Sequence, residues 1–188
     1  MLGFIRPFLP WIAYSVVASA LDWRWGALVG LLWTAAELLS ARRSGRGWDS
    51  LVIEACSSLY FVIVVAVAFA EPHSSARPYI QAASSLWLAL AAWGSLAIRR
   101  PFTLGIAKQT VPSEVWDSPV FYRVNAVITS AWAISFTLSG AAMVALRATH
   151  GSGSLVTLVT IAGFVVPAVF TARYSAAARA RAAAAARA

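Results

Sequence analysis

The chain has 188 residues, of which 60% are hydrophobic and only 12% charged, and its mean hydropathy is +0.73. A soluble domain carries about twice that charged fraction, so there is too little polar surface here to cover a soluble globule, and an integral membrane protein is expected. The net charge of +8 is then read by side of the membrane rather than as a nucleic-acid footprint, and the single cysteine, Cys56, excludes intrachain disulfides.

A bilayer core requires about twenty apolar residues per helix. Six runs of that kind occur, at residues 4–21, 26–41, 50–70, 79–98, 119–146 and 153–174. The breaks between them are Asp22 to Gly26, Arg42 to Asp49, Glu71 to His73, Arg99 to Ser118 and Arg147 to Gly153. The expected fold is all-α, with a six-helix transmembrane domain over residues 1–174 and an Ala/Arg-rich cytoplasmic tail over 175–188. If the N-terminus is inside, twelve of the 15 basic residues fall on the inner side and only Arg24, Arg77 and Arg147 on the outer. The positive-inside bias therefore predicts N-in and C-in.

The first run has a signal-peptide flavour, with Arg6 ahead of it and Ala18-Ser19-Ala20 near its end. Pro7 and Pro10 interrupt a normal signal core, so the run is read as a span. Trp23 and Trp25 then mark an outer boundary, Trp48 and Trp116 inner ones, while Trp33, Trp87 and Trp132 fall mid-span and are expected to pack. In the second and third runs, Glu37 and Glu54 each lie about one turn from the inner end. Arg123 lies at similar depth in the fifth, with Asn125 beside it. An ionisable group within a span faces the bundle interior, paired or wet. The expectation is that Arg123 is satisfied by at least one of Glu37 and Glu54, with Arg42 or Arg100 at the interface as further partners of the carboxylates, as a structural lock or as part of a polar cavity.

Two inner hairpins share a pattern, Arg42-Arg43 before Trp48-Asp49-Ser50 and Arg99-Arg100 before Trp116-Asp117-Ser118. A worn repeat is one reading, but interface chemistry is the favoured one, since the pattern covers few residues: arginine snorkels, Trp anchors, and Asp or Ser caps the next helix. The segment from Arg99 to Ser118, with Arg99, Arg100, Phe102, Lys108, Trp116 and Asp117, is expected to carry a short helix lying on the inner leaflet. In the fifth run Ala131, Ser135 and Ser139 recur every four residues and form a helix-packing stripe. Pro167, after Gly163, is expected to kink the sixth run. Alanine-rich sequence should continue that helix into the basic tail.

Catalytic signatures are missing. The chain has no Walker loop, dinucleotide fingerprint, HExxH or CxxC, and Gly151-Ser152-Gly153-Ser154 reads as a turn. Asp22, Glu71, His73 and His150 collect in outer loops, but their spacing is not that of a metal site. No catalytic residue, metal or cofactor is expected.

The stretch Val111-Pro112-Ser113-Glu114-Val115-Trp116, then Arg123-Val124-Asn125, then Ala131-Trp132-Ala133-Ile134-Ser135-Phe136, resembles the intracellular septation protein A family. Phe8-Leu9-Pro10 and the closing Thr171-Ala172-Arg173-Tyr174 are similar to the family's ends, and the spacings around Asn125 are wider than the family's. The resemblance implies a multi-pass protein of the bacterial inner membrane. Its implied role is non-enzymatic, in envelope maintenance or septation, through protein or lipid partners or self-association and without nucleic acid. The alternative is a small transporter or channel with a cytoplasmic-side polar cavity.

Overall fold

A computed structural model describes residues 8–47, 51–109 and 111–185. Arg6, Pro7, the Trp48 to Ser50 half of the first inner hairpin, and Arg187 lie outside the described residues. Among the described residues seven α-helices follow in chain order: α1 Leu9–Ala20, α2 Trp23–Arg43, α3 Val52–Ala70, α4 Ile80–Ala97, α5 Phe102–Ala107, α6 Pro119–Ala148 and α7 Gly153–Ala185. There is no strand among the described residues. Among the described residues, four segments are long and apolar enough to cross a membrane: α3, α4 with the 3-10 turn before it (Arg77–Ala97), α6, and α7. This is a helical protein of membrane composition.

Local chemistry sets the helix ends. Asp22 caps α2 by accepting from the Arg24 amide at 3.0 Å, and Ser118 caps α6 by accepting from the Val120 amide at 3.3 Å, with Pro119 in the first helical position. At the ends of α4 and α6 the chain turns through Arg99 and His150, both at φ 55°. These left-handed residues let Arg100 donate back to the Ser95 carbonyl at 2.8 Å and Gly151 to that of Leu146 at 2.6 Å, closing the last turns. At 33 residues, α7 is about 50 Å long and exceeds a bilayer core of about 30 Å, so the basic tail continues as helix.

The most extensive packing is between α4 and α6, α1 and α2, α6 and α7, and α2 and α3. Each of these interfaces closes on a glycine. A Cβ on Gly26 would meet Ala18 and the Tyr14 carbonyl of α1, one on Gly30 the Phe61 ring of α3, one on Gly140 Leu86 of α4, and one on Gly163 the Ser139 hydroxyl of α6. In lipid the helices gain nothing from burying apolar area against one another rather than against acyl chains, so close approach has to supply the attraction.

Aromatic rings fill the space between the helices. Phe8, Trp11 and Tyr14 recur every three residues and give α1 one buried face. Phe8 stacks on Trp132 of α6 at 4.9 Å between ring centroids and meets Phe164 of α7 edge-on at 5.4 Å. Trp11 packs on Tyr60 and Phe61 of α3, each at 4.8 Å. Trp132 and Trp87 thus pack inside as expected, with Trp132 3% exposed, whereas Trp33 faces outward at 39%. Trp33 lies three residues from Gly30, but the small residues Gly26, Ala27, Gly30 and Thr34 occupy the inner face of α2 and turn it away.

Within the segment expected to lie on the leaflet surface, the short helix α5 is tucked in, while Arg99, Arg100 and residues 112–117 are exposed. Phe102, Thr103, Gly105 and Ile106 of α5 are buried. The Phe102 amide donates to Ser95 Oγ at 3.2 Å, and the Thr103 hydroxyl reaches α6.

Candidate functional site

The expected charged cluster is not assembled. Glu54, at the start of α3, pairs with Arg46 of the preceding turn, Oε1 to Nη2 at 3.2 Å, with side chains 12% and 28% exposed. Arg42 Nη1 donates to the Arg46 carbonyl at 3.0 Å and steadies that turn. Glu37 is half-buried on α2. Arg123 is exposed on α6 and forms no ion pair among the described residues. Two causes separate these groups. Helix α6 packs mainly on α4 and α7, while α2 packs on α1 and α3. In addition, Arg123 and Asn125 lie about 200° apart around α6, so burying one turns the other outward.

Asn125 is the buried one, at 3% exposed. Its Nδ2 donates to the Phe121 carbonyl at 2.9 Å, and its own carbonyl accepts from Thr103 Oγ1 at 2.9 Å. Thr103 and Thr129 hydroxyls lie 2.8 Å apart. A hydroxyl has one proton, and Thr103 uses its own on Asn125, so Thr129 donates to Thr103. This small network fastens α5 to α6.

A second network joins α6 to α7. Pro167 has no N–H, so the carbonyl of Gly163, four residues earlier, loses its helical donor. Ser135 Oγ supplies one from α6 at 3.0 Å. One turn along, Trp132 Nε1 donates to Thr171 Oγ1 at 3.0 Å, and Thr171 passes its own proton to the Pro167 carbonyl at 2.7 Å. Of the predicted stripe, Ser135 and Ser139 face α7 and Ala131 lies at its edge. Elsewhere Trp11 Nε1 donates to Ser57 Oγ at 3.2 Å, Trp87 Nε1 to the Cys56 carbonyl at 2.9 Å, and the Tyr60 hydroxyl to the Ile80 carbonyl at 3.0 Å. These buried polar groups hold helices to one another.

Along α6, from the turn at Trp116 to Ser118 to Phe170 of α7, an open groove of about 880 Å³ runs along the outside of the bundle. Its polar end is formed by Trp116, Asp117, Ser118, Tyr122 and Arg123, and its apolar end by Ala126, Val127, Ser130, Ala131, Ile134 and Phe170. Trp116 is held there by donating to the Val111 carbonyl at 3.0 Å, and Lys108 Nζ lies 5.1 Å from the ring centroid. The predicted inner-loop residues therefore divide. Phe102 is core, Arg99 and Arg100 are exposed at the end of α4, and Lys108, Trp116 and Asp117 gather near the groove.

On the opposite side of the bundle, Asp22 accepts from both Arg24 Nε, at 2.8 Å, and the Arg24 amide. The side-chain bond first and the backbone bond second hold its carboxyl below the ordinary carboxylate range. Among the described residues no three His, Cys, Asp or Glu side chains converge as metal ligands would. Sequence reasoning missed the Arg46–Glu54 pair, for which a basic residue eight positions before a carboxylate across a turn was the available signal. It also missed the α1 face, signalled by Phe8, Trp11 and Tyr14 at three-residue spacing. No protein family, curated protein or solved structure matches this chain.

Proposed function

We propose that this is a non-enzymatic protein of the bacterial inner membrane that crosses the bilayer six times, with both termini cytoplasmic, and acts through lateral partners in envelope maintenance or septation. The observation that carries this reading is the use made of its interior. Buried hydroxyls, indoles and the Asn125 amide are engaged with one another or with backbone carbonyls, and aromatic rings occupy the space between helices. Such an interior favours a rigid scaffold over a solute path, and the functional surface is then the outer one. The distribution of basic residues supports the orientation. The packing of α1 and α2 with the other helices supports counting them as crossings. The likeness to septation protein A supports the role.

In a Cys56→Ala background, a cysteine at His73 or Gly151 should react with an impermeant thiol reagent in intact cells, and one at Gly45 only after lysis. The reverse pattern overturns the orientation. Deletion of the gene should alter division or envelope integrity, and affinity capture in mild detergent should recover division or envelope proteins. Normal morphology together with empty captures would sink the role.

A further inference from the structure

We infer that the groove along α6 is a binding site for one anionic phospholipid of the surrounding leaflet, its phosphate held at Arg123 and one acyl chain laid along Ala126, Ser130 and Ala131 toward Ile134. The groove is open to the side of the bundle, where lipid lies, and its walls change from charged and aromatic to apolar along its length. From Arg123 to Ile134 is eleven helical residues, about 16 Å, against about 15 Å for the hydrocarbon of a single leaflet. The Ser130 hydroxyl donates to the Ala126 carbonyl at 2.9 Å, so the furrow offers an acyl chain no unspent donor.

Charge selects the headgroup. Arg123 is exposed and without an ion pair among the described residues. The register that sets Trp132 beside Thr171 and Ser139 beside Gly163 brings exposed Arg179 of α7 level with Arg123. Trp116 and Tyr122 flank the cationic end, rings of the kind that anchor at headgroup level. Asp117 at the mouth opposes an anion and moderates the preference. A free phosphate would use only the cationic end and would leave the furrow empty. The inference rests on α6 and α7 crossing the membrane and is independent of the partner-based role.

The test is native mass spectrometry of the purified full chain titrated with dioleoyl phosphatidylglycerol or dioleoyl phosphatidylcholine. Each arginine near a membrane surface favours an anionic lipid about fivefold, so phosphatidylglycerol should bind at least that much more tightly. Arg123→Gln, at an exposed position, should lower the preference about fivefold, and Asp117→Asn should raise it. Ala131→Phe should weaken both lipids alike, with unchanged thermal unfolding in detergent showing that the fold survives. Equal affinity for the two lipids, or an unaltered preference in Arg123→Gln, overturns the site. So does displacement of phosphatidylglycerol by millimolar inorganic phosphate, which would indicate an anion site alone. A dimer lost in Ala131→Phe would assign the groove to a second copy of the chain. Failure to capture division proteins leaves every one of these readings intact, so the two proposals fail separately.

Discussion

Replacing Ser135 by Ala removes the donor that α6 lends to the Gly163 carbonyl. A hydrogen bond between transmembrane helices is worth about 0.6 kcal/mol on average and up to about 1.7 kcal/mol. Ser135→Ala should fall near the upper figure, because Pro167 has already removed the helical N–H that would otherwise occupy that carbonyl. Pro167→Ala returns this N–H. In that background the loss of Ser135 should cost only about 0.5 kcal/mol, leaving a coupling of about 1 kcal/mol between two residues on different helices. The assay is reversible unfolding in mixed micelles with increasing dodecyl sulfate, read by tryptophan fluorescence and circular dichroism for the four chains of the cycle. Trp132→Phe provides a control at the same interface, since the Trp132–Thr171 bond involves no atom that Pro167 withholds. Its cost should be the same in both backgrounds. If Ser135→Ala costs the same with and without Pro167, or if the control shifts equally, relaxation of the helix rather than the orphaned carbonyl governs the interface and the argument fails.

Gly30→Ala places a methyl against the Phe61 ring and should destabilise by about 1–3 kcal/mol in the same unfolding assay, most of it recovered in a Phe61→Leu background. Glu54→Gln should cost about 1 kcal/mol, as for a pair between surface and burial. Combined with Arg123→Ala its effect should be additive, because the two residues belong to separate contacts; a coupling above about 0.5 kcal/mol would restore the cluster expected from depth alone. Asp22→Ala should loosen the start of α2, seen as faster amide exchange there, while Asp22→Asn keeps the cap. Since the folded carboxyl titrates below its unfolded value, this contribution is present above the unfolded pKa near 4 and disappears as pH falls through the lower, folded one. The protection of the α2 amides, taken as their exchange relative to the intrinsic amide rate at each pH, should therefore fall on acidification below about pH 4 in the parent chain and stay constant in Asp22→Ala.

What could be read from the sequence was whatever depends on distance along the chain. Apolar run lengths marked the helices, Ser118 marked a helix start, and the spacing of Ser135 and Ser139 marked a contact face that α7 now covers; Asp22, read only as part of a break, proved to cap α2. Direction around a helix was harder. Glu54, Arg123 and Asn125 were placed by depth, and depth is silent about azimuth, so Arg123 was expected to join carboxylates on helices that α6 does not chiefly face. The wheel angle between Arg123 and Asn125 did carry the answer, since a polar amide can be satisfied by the backbone inside the bundle and a guanidinium is held more cheaply at the interface. The inward turn of α5, within the loop from Arg99 to Ser118, was hidden for a related reason. Mixed apolar and cationic residues fit an interfacial helix, but the hydroxyl of Thr103 finds a tertiary acceptor in the Asn125 carbonyl that only the fold supplies, and α5 goes inward.

The same physics explains why this bundle combines glycines, aromatic rings and hydroxyls. Apolar area alone does not hold helices together in lipid, so each interface depends on contact that acyl chains cannot imitate: rigid rings filling fixed gaps, backbones drawn close at Gly26, Gly30, Gly140 and Gly163, and hydrogen bonds that lipid cannot offer. Small residues on an inner face bring two helices together. On an outer face the same residues leave a furrow that no neighbouring helix fills. Ala131 stands at that boundary, in register with Ser135 and Ser139 yet on the rim of the groove below Arg123. One repeat of small residues therefore locks α6 to α7 at Ser135 and Ser139 and, a turn further toward Pro119, leaves the groove open beside Ala131.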